Sequence, residues 1–395
     1  MLFYVQEKVW NKSFALCFLV QSVYMLSFNM ITPLIAQYVE ILGGTTAIAS
    51  FIAGIFSLLA LVYRPFVGFF SDRHNKKIIL AFGCLLGCIT IAGYGFSTSY
   101  YMVAAFRVAH ALSLCILTTL SAVVACQYLP HSRMAEGIGY IGMGTTLGIS
   151  LGPGIGVFLS QNFGHPAAFF VGAALLVVGT VFVLALPAQK KGEAKAGKLS
   201  LGNLIDLPSI PLTLTMATIS YCTGLTTSFL VIVGEERGLA EIALFFFVSS
   251  AGIAVTRPVV GRYTDKHGIG LLVTVAIVCE IACMVILAFS QSMVWIVVAS
   301  LFRVMGQGSG QSVLQGQVLK SAPEETRSRA SATFYIGVDI GQGFGAIIGG
   351  LLAGAFSYAV AFGSAVPALL LGTIPFICWV RQQQRDTQSE TMKAA

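Results

Sequence analysis

Six ionisable residues stand inside long apolar runs: Arg64, Arg107, Arg257, Arg303, Glu280 and Asp339. A charge in an apolar medium is costly, so each needs a partner or a task. Asp339 lies about ten residues past Arg329, roughly 15 Å along a helix that rises 1.5 Å per residue. A carboxyl group at that depth suits a proton carrier; the competing reading is a static ion pair with Arg303. Glu280 stands eleven residues into its run and either keeps its proton or turns inward to a partner that the sequence does not name. Arg303 precedes Gly306, Gln307 and Gly308, a polar and flexible local face. Arg64 and Arg257 each precede a proline one to two turns from a basic segment, and are expected to snorkel toward that segment or to pair within their own bundle. Gln21, Tyr24, Asn29, Tyr221 and Thr226 also interrupt apolar runs, as cavity lining or as interhelical hydrogen bonds.

Other chemistry finds little footing. GxSxG, HExxH and a phosphate-cradling glycine loop with a following Lys-Ser/Thr are all missing, so the sequence predicts neither an enzyme nor direct ATP drive. Cys84/Cys88 and Cys279/Cys283 have i,i+4 spacing but no further Cys or His nearby, so they read as small buried hydrophobes and no metal or cofactor is expected. His131, His165 and His267 fall in connecting segments and are expected to be solvated.

The elements that hold the six charges are membrane helices. Apolar residues make up 56% of the 395-residue chain and charged residues 10%, against about 25% charged in an ordinary soluble domain. Runs of spanning length fall at 13–38, 46–70, 78–97, 100–126, 136–160 and 166–187, then at 208–232, 241–263, 269–289, 293–319, 331–355 and 358–380. The sequence therefore predicts an all-α membrane protein of twelve spans. Residues 1–187 and 208–395 form two six-helix halves, joined by a polar, Lys/Gly/Ala-rich linker over 188–207. The first run lacks a small-residue cleavage site and reads as a retained span.

The net charge of +7 is not gathered into a nucleic-acid-binding patch. Eighteen of the 23 Lys and Arg residues fall in the segments on one side of the predicted membrane, and only Arg237 falls on the other. The positive-inside rule then puts both termini in the cytoplasm. Trp10, Trp379 and Trp295 fall at the expected interfaces.

A repeat links the halves. Arg64, Pro65, Gly68 and Asp72 return 193 residues later as Arg257, Pro258, Gly261 and Asp265. Arg107 returns as Arg303 after 196 residues, and Gly144, Gly148 and Gly152 return as Gly341, Gly345 and Gly349 after 197. Near-constant offsets imply parallel bundles related by an axis along the membrane normal.

Together these residues resemble a major facilitator superfamily transporter over nearly the whole chain. The loop signature Gly-x-x-x-Asp-Arg-x-Gly-Arg-Lys is met by Gly68, Asp72, Arg73, Lys76 and Lys77, with Asn75 in place of the usual glycine; Asn also tolerates positive φ. The helix-four pattern is half met, since His110 and Ala111 follow Arg107 where Gln and Gly are usual. The helix-five set Gly144, Gly148, Gly152, Pro153 and Gly156 resembles the pattern of proton-driven exporters. Physically, such glycines let a neighbouring helix approach closely. The resemblance implies proton-coupled efflux of small organic molecules, with a nutrient symporter as the alternative. It implies a monomer in a bacterial plasma membrane. It makes Arg64, Gly68, Asp72, Arg73, Arg257, Gly261 and Asp265 gating residues. Tyr24, Asn29, Arg107, Tyr221, Arg303 and Gln307 become substrate contacts in a central cavity, and Asp339 and Glu280 become proton-coupling groups.

Overall fold

The computed structural model describes residues 8–187, 204–239 and 241–394. Most of the linker, and Glu7 before the first span, lie outside the described residues. Eleven helical stretches among the described residues are long and apolar enough to cross a membrane. The second span, Thr46–Arg73, adds a twelfth of 28 residues, longer than the ~20 that a bilayer needs.

Local chemistry sets the helix ends and breaks. The first span runs Lys12–Ile31, its first turn capped by the Asn11 side chain, which accepts from the Phe14 N–H. Pro33 then offsets a short continuation, Leu34–Ile41. Asn75 caps the third span, Lys76–Gly95, accepting from the N–H groups of Lys77 and Ile78 with φ −67°. Asn75 therefore stands there as an N-cap, and the positive φ expected of that position does not occur. The sixth span, His165–Leu184, starts at Gly164 with φ 86°, where a β-carbon would be strained.

The tenth span is broken. Met293–Arg303 and Gly310–Ser321 are α-helical, but Val304–Ser309 between them form a π-helical turn. Gly306 and Gly308 make this possible: a Cβ on Gly306 would fall on the Glu280 carboxylate, and one on Gly308 would press Ile253.

Buried apolar side chains gather in two clusters. One draws on residues from Val9 to Leu186 together with Leu319, the other on residues from Leu212 to Phe376. Packing follows the sequence repeat. Span one packs on span five (Met134–Phe163) as span seven (Ile210–Glu236) packs on span eleven (Arg327–Ala355). Between the clusters, span two packs on span eleven, and span eight (Ala243–His267) on span five. The glycine stripes make the first kind of contact close: Gly148 lies on Met25 and Gly156 on the Met30 carbonyl, while Gly341 and Gly345 lie on the carbonyls of Ala217 and Tyr221.

Candidate functional site

The repeated aspartates close one end of the molecule. Asp72 ends span two, and its carboxylate accepts from the backbone N–H groups of Ser328 (2.9 Å) and Arg329 (3.1 Å), at the start of span eleven. Asp265 ends span eight and accepts from Ala135 (3.1 Å) and Glu136 (2.9 Å), at the start of span five. Each carboxylate thus caps a helix of the opposite half, where unsatisfied donors and the macrodipole favour negative charge. The matched glycines allow the approach: a Cβ on Gly68 would meet Ala332 at 2.8 Å, and one on Gly261 would fall on the Ala135 carbonyl. Arg73 does not join this closure. Its guanidinium folds back onto its own helix, donating to the Phe69 carbonyl at 2.9 Å and lying 3.5 Å above the Phe69 ring.

Beyond this seal lies a cavity of about 450 Å³ between the halves. Its charged lining is Arg64, Arg257, Arg303 and Asp339, with Asn29, Thr118, Gln307, Gln311, Tyr335 and Gln342 as neutral polar groups. Arg64 crosses the boundary to Asp339, with Nε to Oδ2 at 2.5 Å and Nη2 to Oδ1 at 3.2 Å. Its third donor reaches Thr118 at 2.9 Å, and its guanidinium lies 4.9 Å from the Tyr335 ring centre. The pair is asymmetric: the Arg64 side chain is 3% exposed and that of Asp339 20%, so the carboxylate is the member open to the cavity.

Arg303 makes a separate pair. It donates to Glu280, the fully buried carboxylate of span nine (Gly270–Phe289), and to Thr223 Oγ1 at 2.9 Å. The Arg303–Asp339 pair, the competing reading of that carboxyl, is therefore not formed. Glu280, which had no partner in the sequence, turns inward to Arg303. The reason is the π-turn, which brings Gly306 against the carboxylate and leaves room for it. The expectation for Arg64 is corrected too: it neither snorkels nor pairs within its own half.

Among the described residues, Arg257 has only neutral partners. Nη1 donates to the Gly142 carbonyl at 2.5 Å and Nη2 to Gln311 Oε1 at 2.8 Å. Three expected cavity residues lie elsewhere. Arg107 is buried against Tyr94 and His110 within the first six spans. Tyr24 is fully buried, off the cavity surface. Tyr221 bonds Ser364 at 2.7 Å beside an apolar groove among spans seven, eleven and twelve (Ala365–Ala394). Pairing between helices decides these directions, and helical spacing alone does not fix which face of a wholly apolar span turns inward. Of the residues that the sequence did not single out, Gln311 and Tyr335 carried a signal. Gln311 continues the four-residue spacing Arg303, Gln307, Gln311, and Tyr335 lies one turn before Asp339. His165, expected to be solvated, is half-buried and stacks on Tyr38 with ring centres 5.6 Å apart.

Two helical bundles sealed at one end around a charged central cavity are the architecture of an alternating-access carrier. The chain matches the Major Facilitator Superfamily over residues 17–325 and again over 212–394, and it belongs to that family. It is similar to the multi-drug resistance efflux pump PmrA homolog of Lactococcus lactis, at 23% identity over 87% of this chain and 88% of that one. It is also similar to the multidrug resistance protein MdtG of Serratia proteamaculans, at 24% identity over 92% of each. The human organic anion transporter MFSD10 has the same fold, with TM-score 0.77 at 15% identity, over 92% of this chain and 98% of that one. So does the E. coli fucose:proton symporter FucP, with TM-score 0.74 at 14% identity, over 93% and 98%.

Proposed function

We propose that this protein is a proton-driven exporter of small organic molecules that works as a monomer in the plasma membrane. The end sealed by Asp72 and Asp265 carries most of the basic residues and faces the cytoplasm, with both chain termini on that side. The described state is then closed inward, with residues 1–187 and 208–395 acting as the two rocking bodies and the linker between them.

The observation that carries the reading is the Arg64–Asp339 pair, which ties the halves together at the cavity wall through one partly open carboxylate. A proton arriving from the outer side neutralises Asp339 and removes the charge that holds Arg64 across the boundary. A protonated carboxyl has lost most of its Coulombic attraction for a guanidinium, so the tie weakens and the inward-open state gains population. Substrate then enters from the cytoplasm, the proton leaves to the more alkaline side, and the restored pair favours outward opening. Efflux of multidrug type is also what the curated relatives are named for.

The test is transport in proteoliposomes of one cationic and one anionic probe, ethidium and 2-naphthalenesulfonate, under an imposed pH gradient. The wild-type protein should move at least one of the two against the proton flux. Asp339→Asn, fixed in the neutral form, should lose gradient-driven transport and keep counterflow. Full gradient-driven transport in that variant overturns the assignment of Asp339. A probe that moves in the same direction as the protons instead favours the symporter reading.

A further inference from the structure

The repeat that pairs the halves does not pair their charges equally. Arg64 and Arg257 are counterparts 193 residues apart, and Gly142 and Asp339 are counterparts 197 residues apart, the offset that relates Gly144 to Gly341. In one copy Arg64 reaches across the boundary to the Asp339 carboxylate. In the other, Arg257 reaches across the same pseudo-symmetric boundary to position 142, where the chain has a glycine and offers only its backbone carbonyl. A Cβ on Gly142 would already lie 2.8 Å from Arg257 Nη1, so a short acidic side chain at that position would point at the guanidinium.

Arg257 is 5% exposed, lines the cavity, and among the described residues leaves its Nε without a hydrogen-bond partner. On the same helix, two turns earlier, Ser249 also lines the cavity, and its buried hydroxyl has no partner. Around the cavity three guanidinium groups face two carboxylates: Arg64 has Asp339, Arg303 has Glu280, and Arg257 has neither. A buried cation with neutral partners alone is an unbalanced charge, and the site it faces favours an anion.

We propose that Arg257 is a specificity-determining residue that receives an anionic group of the substrate, a carboxylate in the simplest case, which takes the place that Asp339 fills for Arg64. The proposal rests on the exporter reading for the word substrate, but the binding preference stands without it. The transported class is then small amphipathic acids whose apolar part lies among Phe245, Phe246 and Ile253, on the same helix as Arg257 and in the cavity wall.

The test compares two probes of equal shape and different charge, 2-naphthoate and 2-naphthamide, on the purified full-length protein in detergent at fixed pH and ionic strength, read by ligand-dependent thermal stabilisation. Naphthoate should bind at least about tenfold more tightly, the scale of one charge-assisted hydrogen bond. Arg257→Gln should abolish that preference, and Arg257→Lys should keep part of it. Gly142→Asp, which supplies the acid internally once the Arg257 side chain shifts to admit the new Cβ, should also abolish it, a check that does not depend on Arg257→Gln folding. Equal binding of the two probes by the wild-type protein overturns the proposal, as does a naphthoate preference that survives in both Arg257→Gln and Gly142→Asp. No gradient is present, so a failure of proton-driven export leaves this result untouched. Proton-driven export without carboxylate preference refutes the ligand class alone.

Discussion

At the scale of residues, the buried charges sort by what surrounds them. Glu280 and Arg303 are almost wholly enclosed, and neither is backed by a second opposite charge. Glu280→Gln strands the guanidinium and should lower stability by about 3–5 kcal/mol. The double change Glu280→Gln/Arg303→Met, which removes both charges, should recover much of that loss; unfolding in detergent measures both, and strictly additive losses would show that the pair is not a unit. Asn75 gives a second prediction. As an N-cap it should tolerate Asn75→Gly at a cost of a few tenths of a kcal/mol, while Asn75→Ala should cost about 1 kcal/mol. If the position required positive φ, glycine would instead stabilise the protein relative to asparagine.

At the scale of elements, the helix-five glycines divide into those that touch another helix and those that do not. A Cβ on Gly156 falls on the Met30 carbonyl of span one, whereas one on Gly154, two residues earlier, meets nothing within 4 Å. Gly156→Ala must push two backbones apart and should destabilise the protein by about 1–3 kcal/mol. Gly154→Ala should be neutral or slightly stabilising in the helix interior. Thermal unfolding of the two single variants separates close packing from a general need for flexible residues in this span.

At the scale of the whole molecule, two carboxylates hold one end shut by the same device, each accepting two backbone N–H groups across the boundary. Hydrogen bonds to a charged group contribute about 1.5–3 kcal/mol each, so their loss shifts the balance between states closed and open at this end. Asp72→Asn and Asp265→Asn should each raise the population open at this end, and the double variant more than either. Spin labels on the exposed His131 and His267 report this as a longer distance component by pulsed electron resonance. An unchanged distribution in the double variant would remove these aspartates from the closure.

Composition, periodicity and the two-fold repeat are properties of the chain alone. Lipid leaves a hydrophobic sequence little choice but helices that satisfy their own backbone. Twelve spans, the duplicated Arg-Pro-x-x-Gly-x-x-x-Asp device and the glycine stripes were therefore legible without coordinates. Partner choice was not, because it depends on which face of a uniformly apolar helix turns inward and on a π-turn that re-aims span ten. The tertiary structure alone gave Asp339 to Arg64, gave Glu280 to Arg303, and turned Arg107, Tyr24 and Tyr221 away from the cavity. It also left Arg257 opposite a glycine, a contrast that appears only when the two repeats are laid against each other in space.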